Sequence, residues 1–319
     1  MEEINNYPLV TVIVVTYNSS KYVLETLNSI KKQTYQKIEL IVSDDCSQDN
    51  TVQLCNEWIE KNTRRFIGVK VMTTSHNTGT SGNANRAWKA SSGKWIKFIG
   101  GDDLLFEDAI YNYINFVGHN VSACFAYTVQ FTGDIKECNF KTISVPLKNF
   151  AFGLKATARR QYAILKRQLI GNGPTFFVKR KIIEDVGGFD ERFPLMDDYP
   201  LFIRISQAGY KFYLMPQATV YYRNHIESVS HQKGDNAIFY ANLVRCIRDY
   251  KYEYKHEHLS KIWKVLLRYS ILISNMIINN GNSRKSSLCM LFYYIYLVTD
   301  PFLWYSRCVN FIDKILAKF

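Results

Sequence analysis

The chain has 319 residues, 47% hydrophobic and 21% charged, with a formal net charge of +12. These proportions exclude a disordered chain and suit one large α/β domain with an appendage. The seven Cys are odd in number and scattered at 46, 55, 124, 138, 246, 289 and 308, with no CxxC pair, which excludes a disulfide framework or zinc site and predicts reduced cytoplasmic thiols.

The first residues, Met-Glu-Glu-Ile-Asn-Asn, are acidic and polar and do not read as a signal peptide. Leu9–Val15 is a β-branched apolar run, which predicts a strand buried on both faces. A helix capped by Ser19 or Ser20 follows to about Lys32, with Val23, Leu24, Leu27 and Ile30 on one stripe. Ile38–Ser43 is a second strand, and Asp49 opens a second helix. Val69–Thr73 is a third strand, followed by a Gly/Ser/Asn-rich loop and a short helix around Asn85–Ala90. Trp95–Ile99 is a fourth strand ending in Gly100-Gly101-Asp102-Asp103, and Glu107–Val117 is helical. The alternation predicts an α/β fold, with a mostly parallel open sheet flanked by helices on both faces.

From about 120 to 235 the chain mixes strands (Ala123–Phe131, Thr175–Val178, Val220–Tyr222) with helices near 156–168 and 199–208. From about Asp235 the pattern is helical. Leu288–Val298 is apolar but about half the length a membrane span needs, and it stops at Asp300-Pro301. From Ala241 to Phe319 there are twelve Lys or Arg against five Asp or Glu, a net of +7. With Trp263, Trp304 and the Tyr/Phe cluster at 292–296, that extension is expected to meet an anionic membrane surface. A purely structural extension is the alternative. No nucleic-acid-binding motif accompanies the positive charge, so nucleic acid is not expected as a partner.

In an open α/β sheet, ligands bind beyond the carboxyl ends of the strands. Here those ends carry Thr16-Tyr17-Asn18, Asp44-Asp45, Asn77-Thr78-Gly79 and Asp102-Asp103, four polar clusters on one edge. The acidic pairs either hold a hard divalent cation such as Mg²⁺ or Mn²⁺, or cap the helices that follow them. No G-x-G-x-x-G follows the first strand and no G-x-x-x-x-G-K-[ST] occurs, which argues against a dinucleotide dehydrogenase or a P-loop enzyme. An aspartyl-phosphate enzyme would want Asp where Thr16 stands.

Taken in order, Val-Thr-Tyr-Asn, Val-Ser-Asp-Asp-Cys-Ser-Gln-Asp-Asn-Thr, Asn-Thr-Gly and Gly-Gly-Asp-Asp-Leu-Leu resemble the nucleotide-binding half of the family 2 glycosyltransferases with the GT-A fold. Asp185-Val-Gly-Gly-Phe-Asp-Glu-Arg-Phe, Asp197-Asp198-Tyr199, Arg204, Ala208-Gly209-Tyr210 and Tyr222-Arg223-Asn224-His225 resemble the acceptor half. The resemblance covers roughly residues 8–232. It implies an inverting transferase of the bacterial surface-polysaccharide type, with a nucleotide-diphosphate sugar (a UDP-sugar by family habit) as donor. It further implies a glycan or lipid-linked acceptor and Mn²⁺ or Mg²⁺ as cofactor.

By position, the resemblance puts Thr16, Tyr17, Asn18, Asp44, Asp45, Asn77, Gly79, Asn85, Gly101, Asp103 and Arg223 around the donor. Asp102 and His225 fall at the metal and leaving diphosphate, and Asp198 is the catalytic base. Residues 1–234 would form the catalytic domain, with 8–117 for the donor and 118–234 for the acceptor. Residues 235–319 would form the basic extension, seating the enzyme on the inner face of the cell membrane. Two positions depart from the family pattern. Gly100 stands where the metal motif usually has its first Asp, and Ala84 where an Arg often precedes Asn85, with Arg86 or Lys89 as substitutes. A silent nucleotide-sugar- or glycan-binding protein on the same fold is the other reading.

Overall fold

The fold is described from a computed structural model, over residues 7–118, 120–135, 142–144, 149–152, 156–165, 170–224, 261–279, 287–301, 304 and 307–308. Strands β1 (Val10–Thr16), β2 (Ile38–Asp44), β3 (Gly68–Met72) and β4 (Trp95–Gly100) alternate with α1 (Val23–Lys31), α2 (Thr51–Asn62) and α3 (Gly79–Ala90). They pair in parallel, in the order β3-β2-β1-β4.

The sheet continues through β8 (Phe177–Lys179), β6 (Ala123–Phe131), β9 (Phe212–Arg223) and β5 (Leu104–Leu105), with β7 (Thr142–Ser144) on β6. β6 and β9 are parallel, while β8, β5 and β7 pair antiparallel with their neighbours. The expected α/β class with a mostly parallel, helix-flanked sheet is therefore the observed one.

Alternate residues of β1 explain the two-sided burial. Val10, Val12 and Val14 face a core with Val23, Leu27 and Ile30 of α1, Cys55 and Trp58 of α2, and Tyr113 of α4 (Ala109–Val117). Ile13 faces the other core, with Trp88 of α3, Leu165 of α6 (Ala158–Leu165), Ile183 of α7 (Arg180–Asp185) and Phe202 of α8 (Asp198–Gln207). A short α5 (Asn149–Phe152) adds Ala151 to that second core.

Among the C-terminal residues described, α9 (Lys261–Asn279) and α10 (Ser287–Thr299) pack through Ile273, Phe292, Ile295 and Tyr296. Ser270 donates to the buried Asp300, and Tyr269 Oη to Thr299 Oγ1 at 2.8 Å. No helix among the described residues is long and apolar enough to cross a membrane.

Candidate active site

The ends of β1, β2 and β4 lie side by side, since Thr16 is in register with Asp44 and Val15 with Gly100. Thr16 Oγ1 donates to Asp44 Oδ2 at 2.9 Å, and the Ser47 amide donates to Asp44 Oδ1 at 2.8 Å. Asp44 thus fastens the turn leading to α2. Beside it, the backbone bends sharply at Asn18 (φ 49°) and Cys46 (φ 67°), the only described non-glycine residues with positive φ. Strained backbone of this kind gathers where a loop is shaped for a ligand. The Asn18 amide donates to Ser47 Oγ at 2.8 Å and its side chain accepts from the Gln48 amide at 2.8 Å, tying the two loops together. Tyr17 is half exposed over this edge.

Asp45 serves a different element. Its carboxylate accepts from the Thr78 amide (2.9 Å), the Gly79 amide (2.7 Å), Thr78 Oγ1 (2.6 Å) and Arg86 Nη2 (3.2 Å). Three of these donors belong to the opening of α3, where backbone N–H groups have no partner within the helix. Asn77 Oδ1 also accepts from the Gly79 amide, at 3.0 Å. Gly79 has φ 78°, and a β-carbon there would meet Pro194 at 2.5 Å. Ser81 then donates its hydroxyl to the Phe193 carbonyl (2.9 Å) and its amide to that of Pro194 (3.3 Å). The donor-side helix is thereby bonded to the segment that runs into Asp197 and Asp198.

At the end of β4, Gly101 packs so closely that a β-carbon would stand 2.9 Å from Thr16 Cγ2. Asp102 is half-buried, whereas Asp103 is turned inward, its Oδ1 accepting from the Arg223 amide at 2.9 Å. Burial and the adjacent Asp102 charge hold the Asp103 carboxyl well above the usual carboxylate range. Arg223 is fully buried. Its Nε donates to the Asp102 carbonyl (2.9 Å), Nη1 to the Gly133 carbonyl (2.7 Å) and Nη2 to Glu25 (2.7 Å), between the rings of Tyr22 and Phe131.

Asp198 opens α8 in the other half of the fold. Burial and the Asp197 charge push its carboxyl up to about 7, into the range of a general base at neutral pH. Its Oδ2 faces Gly173, where a β-carbon would stand 3.3 Å away.

The structure thus gathers Thr16, Tyr17, Asn18, Asp44, Asp45, Asn77, Gly79, Gly101 and Asp102 on one edge and sets Asp198 on a separate element. Like Thr16, Asp44 and Asp45, the expected donor contacts Asn85, Asp103 and Arg223 are buried and bonded within the protein. Asn85 accepts from Trp88 Nε1 (2.7 Å) and the Phe189 amide (2.8 Å) and donates to the Phe189 carbonyl (2.9 Å) and Glu191 (2.7 Å), so it clamps the halves together. Asp103 and Arg223 stand behind Asp102 as a brace. Of the two substitutes for the missing basic residue at 84, Arg86 reaches the acidic pair, donating to the Asp44 carbonyl and to Asp45. His225 lies outside the described residues.

Among the described residues no group of three or more His, Cys, Asp and Glu is clustered as a metal cage. Asp102, half-buried at the end of β4, is a single carboxylate of the hard-oxygen kind that Mg²⁺ or Mn²⁺ takes.

Three residues of the site were not read from the sequence. Glu25, Ser81 and Lys97 act on partners 198, 112 and 77 positions away. Only Lys97 carried a signal, as a lone charge inside an otherwise apolar strand.

A family model described as Glycosyl transferase family 2 matches residues 11–187. An uncharacterized glycosyltransferase of Haemophilus influenzae is 27% identical over 241 residues, covering 75% of this chain and 88% of its own length. The Escherichia coli UDP-Glc:alpha-D-GlcNAc-diphosphoundecaprenol beta-1,3-glucosyltransferase WfaP is also 27% identical, over 75% of this chain and 86% of its own. Among solved structures, residues 1–349 of S. aureus TarS in complex with UDP-GlcNAc superpose with a TM-score of 0.59 at 18% identity, covering 96% of this chain and 89% of that one. The Pyrobaculum calidifontis mannosyltransferase PcManGT, in complex with GDP-Man and Mn²⁺, gives 0.54 at 19% identity, covering 98% and 87%.

Proposed function

The chain belongs to glycosyl transferase family 2 and is a glycosyltransferase with the GT-A fold, and we propose that it is inverting, taking its sugar from a UDP-sugar and using Asp198 as base. One observation carries this reading. A polar edge built from Thr16, Asp44, Asp45 and Asp102 lies on the strand ends, and the Asp198 carboxyl, pushed up to about 7 by burial and the adjacent Asp197 charge, stands apart from it on α8. One separate base calls for a single displacement, with the acceptor oxygen entering opposite the departing diphosphate, and hence inversion at the anomeric carbon.

The residues take distinct parts. Tyr17 and Asn18 line the nucleotide pocket, with Asp44 and Asp45 holding its loops and Gly79 opening the helix beside it. Asp102 would hold Mg²⁺ or Mn²⁺ against the diphosphate, and when bound the cation offsets charge on the leaving group. Asp198 takes the proton of the acceptor hydroxyl. Asp103 and Arg223 keep Asp102 in place, and His225, by its place in the Tyr222-Arg223-Asn224-His225 motif, serves the leaving diphosphate.

The E. coli relative is named for UDP-glucose and a diphosphoundecaprenol-linked acceptor, which supports a lipid-linked acceptor for this chain, met at the cytoplasmic membrane face. The α9–α10 hairpin suits such a surface. Ile262, Val265, Tyr269 and Leu272 on α9, and Leu288, Leu291, Tyr294 and Val298 on α10, expose apolar side chains, with Lys261 and Arg268 exposed nearby. A helix that is apolar yet exposed and flanked by cations fits the headgroup layer. We also propose the division into a catalytic unit over 1–234 and an extension over 235–319.

The test is a panel of UDP-, dTDP- and GDP-sugars assayed for metal-dependent hydrolysis and for transfer to lipid-linked sugars. Turnover of a UDP-sugar with inverted product supports the reading. Tight nucleotide-sugar binding without turnover on any of them would favour the silent binding protein.

A further inference from the structure

Lys97 is wholly buried in the middle of β4, in register with Val12 of β1 and Phe177 of β8. A charged amine taken out of water is costly unless it is matched by acceptors. Burial pushes this ammonium down to about 7 against the pull of the Asp103 charge. It donates to the Phe98 carbonyl at 2.6 Å and to the Pro174 carbonyl. The second bond reaches a short turn, Gly173–Thr175.

Other groups hold that turn as well. Tyr113 Oη, also fully buried, donates to the Thr175 carbonyl at 2.6 Å. Asn172 Oδ1 accepts from the Thr175 amide at 3.2 Å, and the Phe176 amide donates to the Gly173 carbonyl at 3.0 Å. The turn opens with Gly173, whose bare α-carbon lies against the Asp198 carboxylate. The strand that carries Lys97 ends three residues later at Gly100, followed by Gly101 and Asp102.

We propose that Lys97 is a positioning residue for the base, fixing the wall beside Asp198 at a set place relative to the donor end of β4. The inference rests on Asp198 being the base. A Met at position 97 would fill the same strand without a buried charge, so the ammonium is explained by what it holds. Loss of that hold lets the turn drift from Asp198 while the donor edge stays in place. A misplacement of about 1 Å can cost on the order of a hundredfold in rate.

The experiment compares the full-length chain with Lys97→Met, Tyr113→Phe and Asp198→Asn. UDP binding is followed by calorimetry, turn mobility by hydrogen exchange at the Thr175 and Phe176 amides, and transfer with the donor found in the panel above. Lys97→Met is expected to keep UDP affinity, to speed exchange at both amides about tenfold, and to lower kcat at least tenfold with donor KM unchanged. Tyr113→Phe removes only a hydroxyl and is expected to act in the same direction. It carries the test if Lys97→Met does not fold. Unchanged exchange and kcat in the folded variants overturn the proposal, as does a rise in donor KM with kcat intact. Full activity of Asp198→Asn would instead remove the base assignment, and the exchange result would still report whether Lys97 holds the turn.

Discussion

Asp102 Oδ1 stands 2.7 Å from the point a β-carbon on Gly100 would occupy. The carboxylate of Asp102 is thus folded back over the bare strand end at Gly100. Because that carboxylate is the free end of a rotatable side chain, Gly100→Ala is expected to leave thermal stability nearly unchanged and to displace the carboxylate. Metal-dependent hydrolysis should fall by about tenfold or more. Gly100→Asp, which restores the family motif, should not raise activity either. A gain in activity in the Asp variant would mean that Asp102 has the same place with or without a neighbour.

Asp198 yields a pH signature. Its folded value, about 7, lies above the ordinary 3.8, so folding favours the protonated form. The stability from that preference is present below about pH 4 and is lost as pH rises through about 7. Activity should run the other way, rising with pH toward a limb near 7 as the base ionises. Asp198→Asn is expected to cut turnover about a hundredfold or more and to melt at the same or higher temperature at pH 8. A wild-type rate profile flat from pH 5 to 9 would exclude Asp198 as base. A normal Asp198→Asn beside a crippled Asp197→Asn would shift the assignment by one residue.

Arg223 makes three side-chain bonds while fully buried, and breaking a buried charge network by removing one partner costs about 3 kcal/mol or more. Arg223→Met should lower the melting temperature markedly and take hydrolysis down with it. Glu25→Gln touches the half-exposed end of the network and should cost much less. Chemical denaturation of the three proteins checks the ranking.

Asp45→Ala strips acceptors from the Thr78 and Gly79 amides and from Arg86 together, so it should loosen the start of α3 by about 2 kcal/mol. UDP affinity should drop about tenfold or more with it, and with Asp44→Ala. Calorimetry showing unchanged affinity in both variants would take this edge out of the donor pocket.

The apolar face of the hairpin predicts flotation with anionic vesicles at low salt, weakened by added salt. Removal of residues 236–319 should abolish it. Equal behaviour of the two proteins would leave the hairpin a structural role only.

The strands that frame the edge were legible because β1, β2 and β4 are buried on both faces and so read as mostly apolar runs, interrupted by Glu39 in β2 and Lys97 in β4, within one residue of their observed ends. α3 was expected near Asn85 but opens at Gly79. Its first turn, Gly-Thr-Ser-Gly, has little helical preference and is held by Asp45 and the Phe193–Pro194 carbonyls instead. Most of β9 was also missed, since Pro216 and Gln217 interrupt the pattern where its register against β6 shifts. The acidic residues announced themselves by type and place. Their orientations did not, because what turns Asp103 inward is an amide 120 positions away, and what occupies Asp45 lies 33 away.

That distance also bears on synthesis. The acidic turn after β4 is pinned by Leu104 and Leu105 pairing with Tyr221 and Val220, and by the amide of Arg223. A nascent chain emerging from the ribosome would carry every donor-side motif long before the strand that aligns them. The same holds for a fragment ending at residue 187, the limit of the matched family model. Such a fragment should bind UDP poorly though it lacks none of the motif residues on the donor edge. The donor edge is therefore expected to take its final shape only once β9, the last strand among the described residues, is made.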